Sequence, residues 1–85
     1  MMLTLEQQSI IENQPSFDIK IALRDSRRLS IIGEPNKGFV EVAILFSNGH
    51  IDHDPPFQHD GFGIATVSRT DVAAIETLLE TVKRS

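Results

Sequence analysis

The sequence predicts one α+β domain: an antiparallel β-meander of four to five strands, with a short helix before it and an amphipathic helix packed on the sheet after it. Three observations predict this. Residues from Phe17 to Arg24 alternate apolar and polar, a two-sided apolar run from Phe39 to Phe46 leads into Asn48-Gly49, and apolar residues from Val72 to Val82 recur at helical spacing. At 85 residues the chain is too short for two independent cores, so a single domain over residues 1–85 is expected.

The elements follow in order. Thr4 with Gln7 three residues later reads as a capping box that opens a helix over about 5–14, which Pro15 stops; its apolar residues Leu5, Ile10 and Ile11 make a poor stripe. A strand over about 17–24 places Phe17, Ile19, Ile21 and Leu23 on one face. Asp25-Ser26 supplies turn chemistry, a second strand covers about 28–32, and Gly33 to Gly38 reads as a loop. The third strand, about 39–46, carries Val40, Val42, Ile44 and Phe46 on one face and Phe39, Glu41, Ala43 and Leu45 on the other. A strand apolar on both sides is expected to be central, with something covering each side.

Asn48-Gly49 favours a tight type I′ hairpin, which predicts a fourth strand over about 50–53 that Pro55-Pro56 ends. A last strand is expected over about 62–67. Thr70-Asp71 then opens a helix over about 71–84, with Thr70 as cap, an acidic first turn, and Lys83 and Arg84 at the end where the helix dipole favours cations. That helix should pack across the Val40, Val42, Ile44, Phe46 face.

Composition excludes several function classes. There is no cysteine, which removes disulfides, thiolate metal sites and cysteine nucleophiles together. The net charge of −4 argues against duplex nucleic acid, because binding to a phosphate backbone draws on clustered Lys and Arg. Neither a secretion signal nor an apolar stretch of membrane-spanning length is evident, so a cytoplasmic protein without a membrane partner is expected.

Two clusters invite a chemical reading. Between His50 and Asp60 lie all three histidines and three aspartates, ligand types suited to zinc, manganese or iron; His50, Asp52, His59 and Asp60 form the candidate set, although their spacing matches no established ligand motif. The bland alternative is that Asp54 and Asp60 initiate turns and the histidines are loop surface. The second cluster, Lys20, Arg24, Arg27 and Arg28, would sit around the first hairpin tip, where arginine forks suit phosphates or carboxylates; its alternative is a solvated turn that blunts a sheet edge.

Catalytic motifs are weaker still. Gly33 and Gly38 have P-loop spacing, but Phe39 and Val40 stand where lysine and serine or threonine are needed. No G-x-S-x-G elbow occurs. The sequence therefore reads as a small non-enzymatic binding or regulatory protein, an inhibitor or adaptor of a larger complex, that acts by protein–protein association as a homo-oligomer and needs no cofactor. Self-association is expected through Phe39, Ala43 and Leu45, with only the weak helix around Leu5, Ile10 and Ile11 available to shield them. The alternatives are a divalent-metal protein using segment 50–60 and a binder of a small phosphorylated ligand at Arg24, Arg27 and Arg28.

Overall fold

The computed structural model describes residues 3–84. A helix, α1 (Leu5–Asn13), precedes four strands, β1 (Phe17–Ala22), β2 (Arg28–Gly33), β3 (Phe39–Leu45) and β4 (Ala65–Ser68), and a second helix, α2 (Val72–Arg84), follows them. The strands form one antiparallel sheet in the order β1-β2-β3-β4. The fold is the α+β meander that the residue pattern predicts.

Side chains on a strand point alternately to opposite faces, so the register decides which residues share a layer. Ile19, Ile31, Val42 and Ala65 line up across all four strands, flanked by Phe17, Gly33, Val40 and Val67 on one side and by Ile21, Leu29 and Ile44 on the other. These rows make a single apolar face, and most of their members are buried, with Leu29, Ile31, Val40, Val42 and Ile44 fully so. Ile75, Leu79 and Val82 of α2 pack on it, as the helical spacing predicts.

The N-terminal helix forms where the capping box places it. Thr4 Oγ1 accepts the Gln7 N–H at 3.0 Å, and Gln7 Oε1 accepts the Thr4 N–H at 2.9 Å. Its destination differs from the expectation. Ile11 and the preceding Leu3 are buried in the same core as α2, and Leu3 N–H donates to Glu76 Oε2 at 3.4 Å. Both helices thus cover one face of the sheet, and Leu5, which would have helped to shield the other, is 75% exposed.

One side chain fastens the two helical segments at the end of the sheet. Arg69, between β4 and α2, donates to the carbonyls of Gln14 (2.9 Å) and Pro15 (3.2 Å) and stacks on the Phe17 ring, 5.3 Å from its centroid. Gly33 lies beneath this stack. A Cβ there would run into the Phe17 ring and come within 2.7 Å of the Arg69 guanidinium, so glycine is needed for the close approach.

Several boundaries shift for local reasons. β1 ends at Ala22 because Asp25 and Ser26 both adopt left-handed φ (65°), turning the chain so that Leu23 N–H reaches Arg27 C=O. Residues 50–53 do not form a strand: Ile51 makes a single bridge to Leu45 before Asp52 starts a turn. The hairpin there is not type I′, since only Gly49 has a positive φ (88°) and a three-residue connection closes with Gly49 N–H on Phe46 C=O. Phe46 consequently falls past the end of β3 and is 40% exposed rather than in the core. The last strand starts at Ala65 instead of Phe62, because Asp60 captures the intervening backbone.

At α2 the cap is Asp71, whose Oδ1 accepts the Ala74 N–H at 3.1 Å; the first turn itself holds no acid, and the Thr70 hydroxyl pairs with Ser68. Among the described residues no helix is long and apolar enough to cross a membrane.

Leu79 is fully buried, whereas Leu78 is only packed against the cluster's margin. Leu79→Ala should cost about 2–5 kcal/mol, with Leu78→Ala costing less. Urea denaturation of both variants measures this, and equal losses would mean that α2 is rotated from the described position.

Candidate functional site

The face of the sheet opposite both helices is the most distinctive surface of the molecule. Four transverse rows cross it: Phe39 and Ser68, with Glu34 just past the end of β2, then Asp18, Ile32, Glu41 and Thr66, then Lys20, Ser30 and Ala43, then Ala22, Arg28 and Leu45. Small residues occupy the centre. Ser30 (3% exposed) and Ala43 (8%) floor a shallow hollow of about 200 Å³, with Lys20, Ile32, Glu41 and Leu45 standing around it. Ile32 and Phe39 project from the same face and are 38% and 36% exposed. Ile51 and Ile64 close one side.

The three residues expected to mediate self-association, Phe39, Ala43 and Leu45, therefore share a face that no helix covers. Ile32, Ser30, Ile51 and Ile64 join them and were not singled out in the sequence. Ile32 could have been: on β2 it alternates out of phase with Leu29 and Ile31, an apolar residue on the wrong face for the core.

The basic cluster is split by the fold. Lys20 and Arg28 stand on the open face, Lys20 paired with Asp18 and Arg28 without an ion pair among the described residues. Arg24 and Arg27 instead line an open hollow of about 400 Å³ at the end of the sheet, together with Leu23, Val82 and Lys83. Arg27 lies 3.9 Å from both Asp25 and Asp52, and the carbonyl end of α2 adjoins the same hollow, while Arg24 and Lys83 have no ion pair among the described residues. The four cations do not form one anion clamp.

The candidate metal ligands are likewise kept apart. Asp52 Oδ1 accepts the Asp54 N–H at 2.9 Å, while its other oxygen faces Arg27. Asp60 Oδ1 accepts the N–H groups of Phe62 (2.8 Å) and Ile64 (3.0 Å), and Asp60 N–H donates to Ile64 C=O. The His59 ring Nδ1 sits against its neighbour's carbonyl, and the His50 backbone N–H donates to Asn48 Oδ1 in the turn. Among the described residues no group of three or more His, Asp or Glu is placed to hold an ion. What the aspartates do is organise the connection 46–64: they set successive turns, Gly63 (φ 88°) lies close against the Asp52–His53 backbone, and Phe57 reaches the core.

No protein family, curated protein or solved structure with which the chain was compared matches it.

The turn chemistry has a titration signature. The bonds from Ile64 and Phe62 N–H, with a smaller contribution from His59, hold the Asp60 carboxyl below its ordinary value. A carboxyl lowered in the folded state contributes stability above its unfolded value, and this is lost as pH falls through the folded one. Asp60→Asn, which keeps an acceptor but removes the charge, should be less stable than wild type near neutral pH, with the gap closing in acid. Denaturant midpoints along an acid series measure it. A gap independent of pH would assign Asp60 a role without its charge.

Proposed function

We propose that this chain is a non-enzymatic association module, an inhibitor or adaptor type of regulatory protein, that works as a homo-oligomer through the helix-free face of its sheet. One observation carries this reading. Both helices lie on the same side, so Ile32, Phe39, Ala43 and Leu45 are left on a face that Ile51 and Ile64 border at one margin and where Lys37 Nζ lies 5.6 Å from the centroid of the Phe39 ring. Contiguous apolar surface of this kind marks an interaction site more often than it stands free in water. A sheet face is also a rigid platform, since its side chains are held in register by the ladder beneath them.

A homo-oligomer is the simplest occupant because one patch can meet itself across a two-fold axis. The absence of cysteine suits work in a reducing compartment such as the cytoplasm.

Leu45 is half-buried at the edge of the hollow, so a charged side chain there can reach water in the isolated chain but not within an interface. Leu45→Glu should therefore shift the protein to monomer while leaving its far-UV spectrum unchanged, because a carboxylate buried without a partner is strongly disfavoured. Light scattering coupled to size exclusion, over a concentration series, measures the mass of both proteins. A wild type that stays monomeric throughout the series would refute the association reading.

A further inference from the structure

We infer that the occupant of the open face is a second copy of this chain, laid face to face so that each strand runs antiparallel over its own counterpart. The inference rests on the association reading above and adds the geometry and the contacts. Its basis is an antisymmetry in the rows of the open face. Consider a two-fold axis perpendicular to the strands, over the Ile19–Ile31–Val42 row, whose own side chains point to the core. On β2, residues 30 and 32 are then equidistant from the axis on opposite sides, and Glu34, one residue past the strand's end, falls on the far side from Arg28; on β1 residues 18 and 20 are equidistant, and on β3 residues 39 and 45.

Each exchange joins unlike or complementary groups. Arg28 comes over Glu34 of the other copy, whose partner within its own chain is Lys37 in the adjoining turn (3.2 Å), and Lys20 over Asp18. Leu45 comes over Phe39. Ile32, which projects, comes over the floor of the hollow at Ser30, which is small and recessed. Glu41 comes over Ala43, beside the Ser30 hydroxyl, a donor it can use. Every contact occurs twice. Among the strand residues no like-charged pair is set opposite, whereas an axis moved by one row would bring Lys20 over Lys20. Charge complementarity and a knob-and-hole fit thus select the same axis. Sheets that pack face to face keep their strands roughly aligned, which this axis allows.

The face is modest in size. Four strands about 4.8 Å apart and four rows about 6.8 Å apart span roughly 15 by 20 Å between outer backbones. The apolar contacts therefore supply limited affinity, and the charges set the register and make the dimer salt-sensitive.

The test uses two charge reversals on the full chain, Arg28→Glu and Glu34→Arg. In either variant alone, like charges oppose each other twice, so each should dimerise at least about tenfold more weakly than wild type. When the two variants are mixed, the acid introduced at position 28 of one faces the base introduced at position 34 of the other. The second contact of that heterodimer keeps the native Arg28 over the native Glu34, so it should form with near wild-type affinity. Sedimentation equilibrium and native mass spectrometry read this out, and thermal melts confirm that both variants are folded. Weakening by each variant with restoration on mixing supports the arrangement. A wild-type dimer that Leu45→Glu dissociates but that neither reversal weakens, or weakening without restoration on mixing, overturns this geometry while leaving the association reading intact. A monomeric wild type overturns both.

Discussion

The placement of both helices on one face of the sheet is the constraint on which the rest of the molecule depends. It follows from the strands: Phe17, Ile19, Ile21, Leu29, Ile31, Val40, Val42 and Ile44 all fall on one side once the register is set, so only that side rewards burial along its whole extent. With α1 and α2 both needed there, no third α-helix is available for the reverse face among the described residues. Arg69 holds the arrangement at one end by capping the α1–β1 connection and pinning Phe17 over Gly33. At the other end the long connection 46–64 does the equivalent work, sending Phe57 to the core and Ile51 and Ile64 to the margin of the open face.

Much of this was legible in the sequence, for identifiable reasons. Alternation in Phe17–Leu23 and Val40–Ile44 reports which side faces the core, because a period of two is a direct consequence of strand geometry. The helical spacing in α2 and the Thr4–Gln7 box report local structure that needs no tertiary context. What was not legible depends on distant partners. Nothing local says that α1 lies beside α2, since its stripe is poor and Ile11 acquires its meaning only from the sheet beneath it. Arg69 looks like an ordinary loop cation until Gln14, Pro15 and Phe17 are brought to it.

The candidate sites show the same division. The His50–Asp60 segment has the composition of a metal site, yet composition does not specify convergence, and Asp52 and Asp60 satisfy neighbouring backbone N–H groups instead. The arginine cluster is contiguous in sequence but divided by strand alternation and by the left-handed turn at Asp25 and Ser26, which sends Arg24 and Arg27 to one place and Arg28 to another. Phe39, Ala43 and Leu45 share one face because successive members lie four and two apart on one strand, where sequence spacing fixes the face.

The central claim is that the helix-free face is covered by another copy of the chain, and residue-resolved amide shifts on dilution test it most directly. In the ¹⁵N-labelled protein, concentration-dependent shifts are expected at Ser30, Ile32, Glu41, Ala43 and Leu45, with Ile75, Leu79 and the rest of α2 unmoved. Shifts confined to α2, or a spectrum that does not change across the dilution series, would contradict it.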